Sequence, residues 1–316
     1  MNGAVRRIIV GPTAAGKSAL ALWLAQQRGL AIVSADSRQL YQGFDIGTAK
    51  PSPAEQRAVP HYGIDIATPQ ERYSAHAWAA DAERWCAAAE KAGTTPVIVG
   101  GTGLYVKALV EPFGAIPPLD PARRAALAVW LESRATVELV RWCARLDPPR
   151  AHLGRTQLLR AIETAVLAGE PLSAALRPAS DSAAHRPVRY LVVDPGPVLA
   201  SRIALRVHHM IAAGFEQEVQ QLMNSVSSDA PAWSASGYRV MRESVEGTRP
   251  RAGAIERVII ESRQYAKRQR TWFRHQLPPE QVTHLDPDAP DAPTRLLDWW
   301  DRGDAVTGHE SSTGHA

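Results

Sequence analysis

The sequence predicts an α/β protein: a parallel-sheet core with helices on both faces, carrying a phosphate-binding P-loop and interrupted by an all-helical insert. Three observations predict it. A β-branched run, RRIIV, leads into GPTAAGKS and then into an Ala- and Leu-rich helix. Further short apolar runs (Leu30 to Val33, Thr95 to Val99, Tyr190 to Asp194) alternate with helical stretches, the pattern of parallel strands joined by crossovers. Between the last two of these runs lies a long Ala-, Leu- and Arg-rich stretch without strand character.

The turn after the first strand is Gly11, Pro12, Thr13, Ala14, Ala15, Gly16, Lys17, Ser18, which fits G-x-x-x-x-G-K-[ST]. Its glycines let the backbone approach an anion, and its N–H groups and the following helix N-terminus point at phosphate oxygens. Lys17 adds a point charge, and the Ser18 hydroxyl can bind Mg²⁺.

The second strand ends in Ser34-Ala35-Asp36-Ser37-Arg38-Gln39-Leu40-Tyr41. Asp36 therefore stands at the carboxyl edge of a parallel sheet, where ligands bind; the plain alternative is a helix N-cap. Gly43 to Pro53 reads as a loop, Val59 to Ile66 as an extended piece, and Ser74 to Ala92 as a helix whose Trp78 and Trp85 face the core. The third strand ends in Gly100-Gly101-Thr102-Gly103, where Thr102 either offers its hydroxyl to a substrate or caps the next helix.

From the proline cluster at Pro112 to Pro121 onward the chain reads as helical. Between Arg123 and Arg160 eight arginines meet three acids, too few for i,i+4 pairing, so the insert is expected to bind a polyanion. Pro171 to Pro187 reads as a loop. Asp194 ends a strand in the manner of a Walker-B acid, although Pro195-Gly196-Pro197 favours a simple turn. A helix over Leu199 to Ala213 places Arg202 and Arg206 on one face. Ile255 to Arg274 is a long basic helix with Tyr265, Trp272 and Phe273 interleaved, which suits either unpaired RNA or burial on the sheet. The last dozen residues are expected to be disordered. The implied organisation is a core at 1–113, an insert at 114–187, the second part of the core at 188–278, and a tail at 279–316.

Net charge is +4 and pI about 9.2, mildly basic. Cys86 and Cys143 lack a C-x-x-C pattern and read as buried thiols of a reducing compartment. No zinc-type spacing occurs, no apolar run approaches a membrane span, and the first strand leaves no room for a signal peptide. A cytoplasmic protein is expected, and nothing demands more than a monomer.

Four stretches together resemble the tRNA dimethylallyltransferase family: GPTAAGKS, SADSRQLYQGFDIGTAKPS from Ser34, VGGTGLYVKAL from Val99 and RQYAKRQRTWFR from Arg263. The resemblance implies transfer of a dimethylallyl group from dimethylallyl diphosphate to N6 of the adenosine immediately 3′ of the anticodon, with Mg²⁺ as helper. It implies an insert that closes over the anticodon stem-loop of tRNA. On matching positions, Asp36 would be the general base at N6 and Thr102 would orient the amine. The loop residues 11–18 would hold the diphosphate, backed by an arginine of the Leu199 helix, Arg206 being favoured over Arg202. The tRNA would touch Asp36, Ser37, Arg38, Gln39, Thr102, Arg124, Gln157, Leu158, Leu159, Arg160, Ala161, Gly237, Tyr238 and Arg239. Two departures concern RNA grip alone. The family's His-Pro-Asn-Asp segment is shortened to His152-Leu153-Gly154-Arg155, and the Arg before its Val-Gly-Tyr-Arg is Ser234 here. The alternatives are a P-loop kinase of nucleotides or small molecules, a prenyl transferase of free adenine nucleotides, and a non-catalytic RNA-binding regulator.

Overall fold

A computed structural model describes residues 5–111, 119–176 and 186–302. In chain order the elements are β1 (Arg6–Val10), α1 (Lys17–Arg28), β2 (Leu30–Ser34), α2 (Pro53–Ala58), β3 (His61–Tyr62), α3 (Ala75–Lys91), β4 (Thr95–Gly100) and α4 (Gly103–Val110). Then come α5 (Pro121–Glu132), α6 (Thr136–Leu146), α7 (Arg155–Ala168) and α8 (Leu172–Ala175). The chain continues with β5 (Val188–Val193), α9 (Leu199–Ala212), α10 (Phe215–Ser225), α11 (Tyr238–Val245), α12 (Arg251–Gln276), β6 (Val282–Leu285) and α13 (Ala292–Asp301).

The six strands form one parallel sheet in the order β3-β2-β4-β1-β5-β6. Alternation sends neighbouring strand residues to opposite faces. Ile8 and Val10 join a core with α3, α4, α10, α11 and α12, whereas Ile9 joins another with α1 and α13. Burial on both faces is why these strands are continuous apolar runs. The central strands β2, β4 and β1 send their C-terminal turns to one edge of the sheet, and Val10 stands opposite Gly100 in register.

Two compact units are present, Met1–Val110 with His185–Ala316, and Glu111–Ala184. The described part of the second contains only helices, packed around Leu131, Leu139, Cys143, Leu158, Ala161, Ile162 and Leu172. Its N-terminal helix starts at an Asp120 cap that accepts Arg123 N–H at 2.7 Å, with Pro121 at the first position.

Several expectations are adjusted. The extended piece near Val59 is only the two-residue β3. Part of the Pro171 loop is the short α8. The basic helix begins earlier, at Arg251 after Pro250. The expected tail is integral to the fold: β6 completes the sheet, and Leu296, Trp299 and Trp300 of α13 are buried against α1. The segment 112–118 and the chain end beyond 302, where disorder was expected, lie outside the described residues. Trp78 is fully buried and Trp85 partly so. Cys86 and Cys143 are buried free thiols, and burial pushes Cys86 up to about 11, so it is an inert core thiol. No described helix is long and apolar enough to cross a membrane.

Candidate active site

The loop after β1 is shaped by backbone geometry that only glycine adopts easily. Gly11 has φ 151°, and a Cβ there would stand 2.2 Å from the Val193 carbonyl oxygen. Gly16, at φ 93°, caps α1 without a side-chain hydrogen bond. The first-turn amides of α1 therefore stay available to an anion. Lys17 folds back over the loop, its Nζ donating to the Pro12 carbonyl at 2.7 Å. Burial pushes its ammonium down to about 8; the attraction of Asp36 opposes this, and the Arg206 charge adds to it.

Asp36 follows β2. Its Oδ1 accepts the Arg38 N–H at 2.9 Å, which is an Asx turn, not a helix cap. Thr102 follows β4. Its carbonyl accepts the N–H of Tyr105 and opens α4, so the hydroxyl is not needed as a cap. That hydroxyl instead accepts the Ser37 N–H at 3.0 Å and donates to the Ser37 Oγ at 3.2 Å. Burial and the Asp36 charge push the phenol of Tyr265, which lines the same cavity, up to about 12. Thr102 thus braces the turn that carries Asp36.

Two arginines of α9 behave differently. Arg202 is ion-paired with Asp288. Arg206 donates to the Thr48 carbonyl at 3.3 Å and forms no carboxylate salt bridge among the described residues. Arg206 is half-buried, and desolvation lowers its basicity. The loop that supplies Thr48 is itself held from behind. Glu218 accepts the N–H groups of Asp45 at 3.1 Å and Ile46 at 2.7 Å, and the Tyr238 hydroxyl donates to it at 2.5 Å.

These parts surround a cavity of about 460 Å³. The P-loop, Lys17, Ser18, Asp36 and Arg206 line it with polar atoms, and Ile203, Val207, Met210, Phe215 and Val258 give it an apolar wall. A cationic anion cradle, one carboxylate and a greasy wall in a single cavity suit a substrate with a charged head and an apolar tail. Asp194 plays no part in it. Its carboxylate is ion-paired with Arg270 and accepts the Gly196 N–H at 2.9 Å, so it is a turn-and-helix anchor and not a Walker-B acid. Among the described residues no cluster of His, Cys, Asp or Glu could hold a metal alone.

A family model described as IPP transferase matches residues 39–276, and one described as isopentenyl transferase matches residues 5–62. The chain belongs to the IPP transferase family. A tRNA dimethylallyltransferase of Halorhodospira halophila is 42% identical over 276 residues, 85% of this chain and 89% of the relative. The solved tRNA isopentenylpyrophosphate transferase of Bacillus halodurans matches at 31% identity and TM-score 0.66, covering 94% of this chain and 96% of that one. A solved eukaryotic dimethylallyltransferase acting on tRNA shares the fold at TM-score 0.73 and 23% identity, covering 96% of this chain and 77% of that one.

In this IPP transferase the expected RNA contacts divide sharply. Arg38 and Gln39 line the cavity, and Arg239, Gln157 and Arg160 are exposed. The side chains of Leu158, Ala161 and Tyr238 are not available to RNA: each is fully buried, the first two in the helical unit's core and Tyr238 among Phe44, Phe215 and Glu218. Leu159 packs partly against the same helical core. Gln157 Oε1 accepts the Gly154 N–H at 3.3 Å, and Arg124 is ion-paired with Glu163 at 3.1 Å. Gly237, at φ 88°, opens α11, and a Cβ there would stand 3.0 Å from Val258 Cγ1. Residues missing from the expectation lie on α12. Val258, Ser262, Tyr265 and Gln269 form a stripe toward the cavity, at the 3–4 spacing that marks one helix face. That spacing was visible in the sequence beneath the more conspicuous basic residues.

Proposed function

We propose that this chain transfers the dimethylallyl group of dimethylallyl diphosphate to N6 of the adenosine immediately 3′ of the anticodon in tRNA, releasing diphosphate. The observation that carries the reading is that Asp36 shares one cavity with the P-loop, Lys17 and Arg206. The adenine N6 lone pair is delocalised into the ring, so the amine needs help losing its proton as the new bond forms. Asp36 accepts that proton, a role worth typically about 10²–10⁴-fold. The N6–C1 bond forms as the C1–O bond breaks, and the electron pair leaves with the diphosphate oxygen. Lys17, Arg206 and the loop amides stabilise the charge growing on those oxygens. Mg²⁺, held through Ser18, would supply further charge neutralisation. The apolar wall takes the prenyl carbons and keeps water from the allylic centre.

Thr102 acts in this scheme through Ser37, fixing the turn that aims Asp36. The adenosine has to leave its stack to reach the cavity, at a cost of a few kcal/mol. Arg38, Gln39 and Arg239, with Arg160 and Gln157 of the helical unit, are the polar side chains that offset it by gripping the anticodon stem-loop. The protein would act as a monomer in the cytoplasm. A kinase would need an acid at Asp194, which Arg270 neutralises. Incubation with dimethylallyl diphosphate and unmodified tRNA, followed by mass spectrometry of nucleosides, tests the reading. N6-dimethylallyladenosine next to the anticodon is expected. Its absence, or phosphate transfer from labelled ATP, would overturn it. Asp36→Ala should abolish turnover and keep tRNA binding, which a non-catalytic regulator would not distinguish.

A further inference from the structure

We propose that Gln269 is a positioning residue, a strut that sets the separation between the loop gripping the departing diphosphate and the turn carrying the base. The proposal rests on the function read above. The loops after β1 and β4 leave neighbouring strands side by side, with Val10 opposite Gly100. Nothing in the sheet fixes their spacing beyond that last pair. Gln269 reaches in from α12 and joins them: its Oε1 accepts the Thr13 N–H at 2.8 Å, and its Nε2 donates to the Gly101 carbonyl at 2.9 Å. The side chain is 6% exposed, so both bonds are shielded from competing water.

The chemistry of the two ends suits an amide. One loop presents a donor and the other an acceptor, and the Gln amide carries both functions on one planar, uncharged group whatever the pH. Space has been cleared for it, since a Cβ on Gly101 would stand 2.3 Å from Nε2. The helix behind the strut is anchored where Arg270 Nε donates to Asp194 Oδ2 at 2.8 Å. Gly101, at the other end of the strut, is followed directly by Thr102. Thr102 holds Ser37, and Ser37 adjoins Asp36. A continuous chain of contacts therefore runs from the diphosphate loop through Gln269 to the general base. Transfer needs C1 and N6 about 3–3.5 Å apart, and a misplacement of about 1 Å costs roughly 100-fold.

The test uses the full chain with Gln269→Met, which removes both bonds, and Gln269→Asn, which is one methylene too short to span. Single-turnover transfer should fall about 100-fold in both, while the separate affinities for dimethylallyl diphosphate and for tRNA stay within about threefold of wild type. The Thr13 amide should exchange faster with solvent in both. A folded variant that transfers within about threefold of wild type overturns the proposal, as does a rate loss wholly explained by weaker binding of one substrate. If the wild type itself forms no product, the functional reading fails instead. The strut then stands on faster Thr13 exchange in the variants and falls if that exchange is unchanged. Should Gln269→Met not fold, Gln269→Asn carries the same readouts.

Discussion

The turns after β1 and β4 are both glycine-rich, lie on adjacent strands and end at the same edge of the sheet. At the first, glycine serves conformation. Gly11 and Gly16 have positive φ, and the loop they shape lines the cavity from Thr13 to Ser18. At the second, glycine serves space. Gly101 and Gly103 lie where Gln269 and Trp272 press in, at 2.3 Å from either would-be Cβ, and neither has a positive φ. The first turn needs glycine for its backbone shape, and the second needs it for the room that α12 fills. Glycine content after a strand thus does not by itself announce an anion site. What matters is whether the glycine is there for its conformation or for the space its missing side chain leaves.

The contrast can be broken from either side. Asp36→Asn and Lys17→Met act on the first turn and its carboxylate, and each should lower transfer by about 10²–10⁴-fold with an unchanged thermal midpoint, measured by single-turnover assay and calorimetry. Gly11→Ala attacks conformation at the first turn. Its methyl meets a backbone oxygen that cannot swing away, so a loss of about 3–4 kcal/mol in urea unfolding is expected. The pH response comes next. With Lys17 at about 8 in the free protein, the ammonium is present below that pH and is lost above it. Donor KM should therefore rise above pH 8, by at most about tenfold per pH unit, whereas a lysine in water would hold its charge past pH 10. Gly101→Ala should be mildest for stability, at about 1–2 kcal/mol, because a side chain can yield where backbone cannot. It should still slow transfer by displacing Gln269. If Gly101→Ala destabilised as much as Gly11→Ala, the distinction between the two turns would collapse.

Arginine follows the same logic. The insert's eight arginines looked like a free basic face, yet Arg124 is paired with Glu163, Arg155 donates to the carbonyls of Glu132 and Arg134, and Arg134 lies over the Trp130 ring at 4.2 Å. Arg206, one of an unremarkable pair on α9, is the one left facing the cavity without a carboxylate. The difference from Arg202 is Asp288, 86 positions away in the chain.

Local pattern made the P-loop, the strand-then-acid arrangement at Asp36, the helical character of residues 121–168 and the strands β1, β2, β4 and β5 legible before any fold was known. These features depend on neighbours within one turn or strand: steric freedom at glycine, β-branching, alternation of apolar residues and the 3.6-residue period. The tail was misjudged because β6 is four residues long and becomes a strand only by pairing with β5. The burial of Tyr238, Leu158 and Ala161 was likewise invisible, since their motifs indicated only where they stand in the chain and not which way they point. The sequence by itself determined that a loop of P-loop pattern and a carboxylate would meet at one edge of a parallel sheet. Only the tertiary structure decided which arginine remained unpaired, and that Gln269, 256 residues from Thr13, would span the gap. Local rules act through covalent neighbours, whereas the partner of a buried polar group is chosen by whatever the fold brings within about 3 Å of it.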